Sequence, residues 1–367
     1  MKTTFTMRGI AVIAVVLGHS IGWIYLGQSW VLASMPANTA LFASQIGTPV
    51  YYLLQSILQL TLCDVPIFIF ASGFMLSYVI QNEEALKGGM VFRWIVKVAW
   101  PFLIWVMLQI LADWLPLALF SKKGHPSLLL SMSEAVKFSY FVVLIIQFYL
   151  LAPVIARLAK SHWKLLVGLS LAIQLATSAV WYLAMTGVLN HPIANLFLNT
   201  SFYGFWSWTV YYVLGVTFGV NLGKVRQHLK PYVPYLAWSC LVFGLASIAE
   251  TRLLFRNTAE FIPINWSITS LLYFLAVILT LMMVSDRIKW LKKDMIELGA
   301  KSLGIYLSQY IFLDTITRSV YHIYPQLLFS PILFLLLLSG VTLGLVIVVS
   351  NAVRRFAPRS VYNFLYG

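Results

Sequence analysis

Charge is what this sequence has least of. Asp, Glu, Lys and Arg make up 10% of its 367 residues, against about 25% in ordinary globular chains. Acidic residues are scarcer still, 11 in all. With 60% hydrophobic residues, too few polar groups remain to cover a water-facing surface, which excludes a soluble globular enzyme. Disorder is excluded for the opposite reason, because disordered chains are poor in apolar residues. The two cysteines, Cys63 and Cys240, both lie in apolar stretches. Their number and placement exclude a disulfide framework and a cysteine-based metal site, and no metal is expected. The alternating strands and polar lumen of an outer-membrane barrel are missing as well. What the chain has instead is a series of long apolar runs. They predict an all-α polytopic membrane protein. The longest non-apolar stretch, Ser121 to Lys137, reads as a loop. No internal repeat suggests the inverted halves of a transporter. Residues 1–367 therefore read as a single transmembrane domain.

A spanning helix needs about 20 mainly apolar residues. Ten runs are predicted, at 8–27, 50–80, 92–113, 138–156, 163–186, 204–222, 231–250, 266–285, 299–318 and 330–352. The second is too long for one plain span. Asp64 and Pro66 are expected to divide it into an interfacial lead-in and a true span near 65–80. The net charge of +14 would suggest nucleic-acid binding in a soluble chain. In a membrane chain, Lys and Arg collect in cytoplasmic loops. Ten spans bring both termini to one side. If that side is cytoplasmic, nineteen of the 25 Lys and Arg lie there; Lys122, Lys123, Lys137, Arg252, Arg256 and Arg318 lie outside. The expected surroundings are a lipid bilayer, with no nucleic acid. The first run follows Lys2 and Arg8 but continues through His19 to Trp30 with no clean cleavage site, so it reads as a span and not as a removable signal.

An ionisable side chain inside a bilayer costs roughly 2.5–3.5 kcal/mol on insertion scales and is a functional candidate by default. The candidates are Arg8, His19, Asp64, Asp113, Glu250, Asp314 and Arg318. Arg8 and His19 are eleven positions apart. That is close to three helical turns, so both occupy one face, about 16 Å apart along the axis. A cation at the cytoplasmic edge and an imidazole near mid-bilayer would line a polar passage. The plainer alternative is a snorkelling anchor and an interhelical hydrogen bond. Asp314 and Arg318, four apart, can pair on one face. Asp64 can cap the true second span. Glu250 is expected to be solvated near Arg252, and Asp113 to be interfacial. Ser72-Gly73 permits close helix packing or opens backbone beside a passage. Gly215–Gly219, Gly219–Gly223 and Gly340–Gly344 read as packing motifs. Arg93 and Lys97 share a helix face before Trp100-Pro101. They are either topology charges or donors to the phosphates of a cytoplasmic ligand.

Taken in order, several segments resemble the membrane acyltransferase-3 family, ten-span bacterial enzymes that acylate extracytoplasmic carbohydrates. The first is Arg8, ten residues, then His19. The others are Val65-Pro66 through Ser72-Gly73-Phe74; Arg93, Lys97 and Pro101; Phe141 through Gln147-Phe148-Tyr149 to Pro153; and Ser302-Leu303-Gly304-Ile305-Tyr306-Leu307. The likeness runs nearly end to end. It implies a multi-pass enzyme of the bacterial inner membrane that moves an acyl group, acetyl in the simplest case, from acyl-CoA to a glycan hydroxyl. Acetyl-CoA would be a co-substrate whose phosphates meet Arg8, Arg93 and Lys97. His19 would act as general base or as a transient acyl carrier. Ser72, Gln309 and Asp314 would join the polar lining. One departure stands out. Where many members have a histidine after Ile-Tyr-Leu, this chain has Gln309, which hydrogen-bonds but is no base near neutral pH. The competing function is an exporter or flippase of a glycan precursor; it would consume no thioester.

Overall fold

A computed structural model describes residues 2–34, 45–82, 86, 88–120, 136, 139–189, 191–256, 262–285 and 292–366. Among them the chain is helical, without a strand. Seven helices are long and apolar enough to cross a membrane, and Thr209–Val220 and Ile268–Val284 are shorter apolar helices. The chain is thus an all-α, multi-pass membrane protein. The expected loop at Ser121–Lys137 lies, apart from Val136, outside the described residues, as do Lys87, Arg287 and Lys289.

Helix α1 (Lys2–Ser34) is unbroken and contains no proline. It packs against the helices Pro49–Thr61, Asp64–Asn82, Lys292–Ala300, Ser302–Ile323 and Pro331–Phe356, while Ile13, Gly22 and Leu26 stay exposed. The second run divides into α2 (Pro49–Thr61) and α3 (Asp64–Asn82). The Thr48 hydroxyl caps α2 by accepting the Tyr51 N–H at 3.1 Å. Asp64 opens α3, and its carboxylate accepts the Val65 N–H. Pro66 falls in the first turn, where its missing N–H costs least. The lead-in is not a separate interfacial piece. A Cβ on Gly18 would meet the Thr61 hydroxyl and Leu58, so α2 packs inside the bundle and the break lies beside the middle of α1.

Helix α4 (Gly88–Phe120) runs past the expected end at Asp113, whose side chain lies outside the described residues. Next come α5 (Tyr140–Ser161) and α6 (Trp163–Met185). The short α7 (Pro192–Thr200) precedes α8 (Thr209–Val220). Helices α9 (Leu222–Leu229), α10 (Val233–Leu254) and α11 (Ile268–Val284) follow. The expected ninth run is interrupted at Lys301, between α12 (Lys292–Ala300) and α13 (Ser302–Ile323). The chain continues through α14 (Pro331–Phe356) into α15 (Arg359–Tyr366), a terminal helix absent from the predicted spans. Trp105 Nε1 donates to Leu365 O at 3.1 Å, folding α15 back onto α4.

Two seams hold backbones at closest approach. Helices α3 and α8 meet where Gly73 faces the Tyr212 carbonyl and Gly215 faces that of Phe70. Helices α1 and α12 meet at Gly9 against Met295 O and Gly299 against Phe5 O. A methyl group at any of the four would collide with backbone, so small residues set these distances. Gly219 packs on Ser77. Gly223, Gly340 and Gly344 have nothing within 4 Å, which corrects the packing role expected for them. Glycine spacing alone does not say which helix faces have neighbours.

Several contacts show which ends lie together. Arg226 in α9 donates to Thr3 Oγ1 at 3.1 Å. Buried Lys301 bonds to Glu297 Oε1 at 2.7 Å and Asn351 Oδ1 at 2.9 Å. Its ammonium holds the Glu297 carboxyl below the usual carboxylate range. The starts of α1 and α13, the α8–α9 turn and the last turns of α14 therefore share one end of the bundle.

Candidate active site

The first and ninth predicted spans become α1 and α13, and the site forms between them. Arg8 is half-buried. With Ser72, Tyr149, Ser302 and Tyr306 it lines a cavity of ≈ 60 Å³. Arg8, Ser72 and Tyr149 also line an adjoining space of ≈ 260 Å³ with Met75, Val79 and Trp94. Met75 and Val79 lie further along α3 and Trp94 lies early in α4. The larger space therefore extends towards the end that carries Thr3 and Lys301.

The Arg8 guanidinium interacts with the Tyr149 phenol and lies 5.9 Å from the Phe5 ring centroid. Among the described residues no carboxylate forms an ion pair with it. A guanidinium without a carboxylate in a partly closed cavity is suited to an anionic group, since charge-assisted hydrogen bonds are the strong ones.

At the deep end of the recess stands Tyr306. Its ring centroid is 6.4 Å from that of His19, and its hydroxyl hydrogen-bonds the backbone of Phe141. Gln309, one turn further along α13, is fully buried. It is a side-chain hydrogen-bond partner of His19 and donates Nε2 to Tyr306 O at 3.2 Å. Spacing of three residues puts Tyr306 and Gln309 on one helix face, opposite the His19 face of α1. Gln309 therefore stands against the imidazole. A glutamine can hold a histidine ring in one orientation without exchanging protons with it.

The other candidates fall in different places. Ser72 lines the recess and donates its hydroxyl to Phe68 O at 2.9 Å. Arg93 and Lys97 are exposed on α4 and line neither cavity. Their neighbours Trp94 and Val98 do the lining, so the basic pair flanks the recess from outside. Asp314 is buried away from it and takes both carboxylate contacts from Arg318 Nε, at 2.8 and 2.6 Å. Glu250 accepts the Thr269 hydroxyl, so it is held by a neighbour and is not merely solvated. Asp64 lies near enough to Tyr306 and Tyr140 to interact with both phenols. The sequence reading did not single out Tyr149, Tyr306 or Trp94. The two tyrosines lie inside the motifs it quoted, but nothing in one sequence distinguishes a lining tyrosine from a packed one.

Among the described residues no group of three His, Cys, Asp or Glu side chains could hold a metal ion. A family model described as an acyltransferase domain matches residues 6–351. Comparison with the curated proteins and with the solved structures finds no match. The matched stretch takes in Arg8, His19, Gln309 and every residue named in the recess, and the chain belongs to the acyltransferase-3 family as a membrane acyltransferase.

Proposed function

We propose that the chain transfers an acyl group, acetyl in the simplest case, from acyl-CoA to a hydroxyl of an extracytoplasmic carbohydrate, in the plasma membrane of a bacterium. The observation that carries the reading is the recess joining Arg8 to Tyr306, with His19 held by Gln309 behind it. Arg8 binds a phosphate of the donor by charge-assisted hydrogen bonds. Arg93 and Lys97, exposed beside Trp94, attract the same polyanion before it enters. The pantetheine arm lies along the recess and brings the thioester towards His19.

The chemistry follows from that placement. Imidazole exchanges protons near neutral pH. As the sugar oxygen attacks the thioester carbonyl, His19 takes its proton. The carbon–sulfur bond then breaks, the proton passes to the leaving thiolate, and the products are a sugar ester and free CoA. Gln309 keeps the ring orientation fixed through both transfers. Stacked aromatic side chains suit a sugar acceptor.

The test uses the purified full chain with labelled acetyl-CoA and an acceptor glycan. His19→Ala should lower label transfer by about 100-fold or more, the usual scale for a lost general base. Undiminished transfer by that variant ends the assignment. Transport of a glycan without thioester consumption would favour the exporter instead.

A further inference from the structure

A second cavity shares no lining residue with the Arg8 recess. It lies between α6 and the α8–α9 turn and measures ≈ 480 Å³. Its walls come from Trp163 and Val167 of α6, Leu214 and Phe218 of α8, and Val225 and Leu229 of α9. Lys224 and His228, one helical turn apart, stand at its rim. Both are exposed, and the His228 Nδ1 lies 2.8 Å from Lys224 O. Lys164 reaches over the Trp163 ring, with Nζ 5.8 Å from its centroid. Lys160, Arg157 and Lys230 are exposed on the adjoining turns.

The charged residues of the helices that wall this mouth are all basic. Between Glu134 and Glu250 the sequence contains no Asp or Glu. Topology alone explains why lysines gather on one side of a membrane. It does not explain why an apolar slot opens among them. A slot of this kind accepts a hydrocarbon chain, and the rim above it accepts phosphate. Basic pockets between spanning helices recognise anionic lipid headgroups in this way. A free phosphate would leave the slot empty. A zwitterionic lipid would leave the rim charge unmatched.

We infer that the groove between α6 and the α8–α9 turn is a binding site for an anionic phospholipid, one acyl chain lying in the slot and the phosphate meeting Lys224 and Lys164. The site lies at the headgroup level of the leaflet that faces the N-terminus of α1, since Arg226 of the same turn bonds Thr3.

The test is native mass spectrometry of the purified full chain in detergent, incubated with phosphatidylglycerol or with phosphatidylcholine of matched acyl chains. Phosphatidylglycerol should be retained at least several-fold better. The Lys164→Gln/Lys224→Gln variant should reduce that preference towards unity while transferring acetyl groups as the parent does. Val167→Trp, which fills the slot, should lower retention of phosphatidylglycerol although every lysine remains. Inorganic phosphate at the same concentration should not displace the lipid. Equal retention of the two lipids, a preference unaltered by the lysine variant, or displacement by inorganic phosphate would each overturn the inference.

Discussion

On the Arg8 side of His19, α1 is parted from α3, α4 and α5 by a recess; on the far side the same helix is sealed against α13 by aromatic rings. Trp23 lies edge-on to Tyr310 at 5.2 Å and to Trp30 at 6.1 Å. Trp30 meets Tyr321 at 6.0 Å, and the Arg318 guanidinium covers its ring at 5.3 Å. Ile21, Ile24 and Leu313 are fully buried there with Leu328 and Phe334. Both halves of α1 are apolar, so composition does not separate them. Side-chain volume does. Around Arg8 the facing residues include Ser72 and Ser302, which leave space. Beyond His19, Trp23, Trp30, Tyr310 and Tyr321 take up the space together with aliphatic side chains. One half of α1 thus faces open space beside a guanidinium, and the other half is closed by aromatic rings.

Breaking the seal should cost the most stability. Trp23→Ala is expected to lower the resistance of the purified protein to denaturant by about 3–5 kcal/mol, the usual range for a buried aromatic. It should leave the acyl-CoA KM unchanged. Trp23→Phe should recover most of the loss, and parent-like stability of the alanine variant would show that the rings do not seal the bundle.

Removing the cation from the open half should act on binding instead. Arg8→Ala deletes charge-assisted hydrogen bonds of about 1.5–3 kcal/mol, so the KM for acyl-CoA should rise by roughly 10- to 100-fold, with stability little altered. Arg8→Lys should recover part of the affinity, because a lysine keeps the charge but loses the planar fork. An unchanged KM in steady-state assays would remove Arg8 from the donor site.

The Asp314–Arg318 pair within the seal tests whether Asp314 belongs to the substrate path. Arg318→Ala leaves a buried carboxylate without its partner, at a cost of about 1–3 kcal/mol. Asp314→Asn combined with Arg318→Ala should restore much of it. Acyl transfer by the double variant should match the parent; a selective loss of transfer would return Asp314 to the lining. Smallest of all, Arg93→Ala/Lys97→Ala should weaken donor binding by about 1 kcal/mol or less, as exposed charges do. That effect should vanish in high salt, and a salt-independent loss would place the pair inside the recess.

Much of this arrangement is legible one helix at a time. The Arg8–His19 face follows from helical periodicity, and the Asp314–Arg318 pair from spacing of four. The break at Asp64–Pro66 follows from the chemistry of proline and a capping carboxylate. What failed to show was anything that depends on a neighbour. Gly340 and Gly344 have the same spacing as Gly215 and Gly219, yet the first two face open space and the second two face α3. Arg93 and Lys97 look equivalent to Trp94 and Val98 in register, but the turn of α4 gives the recess to the aromatic and the valine. Lys301 divides an apolar run that reads as continuous, because its ammonium is held by Glu297 and Asn351.

By itself the sequence determined the solvent, the helical class and the common face of Arg8 and His19 on α1, because hydrophobicity, periodicity and spacing are properties of a segment. Only the tertiary structure decided that His19 meets Gln309 and Tyr306, that Arg8 opens into a recess while Asp314 does not, and that a separate groove lies under Lys224. Those outcomes depend on which faces of distant segments are pressed together, as at the close approaches of Gly9 and Gly299 between α1 and α12 and of Gly73 and Gly215 between α3 and α8.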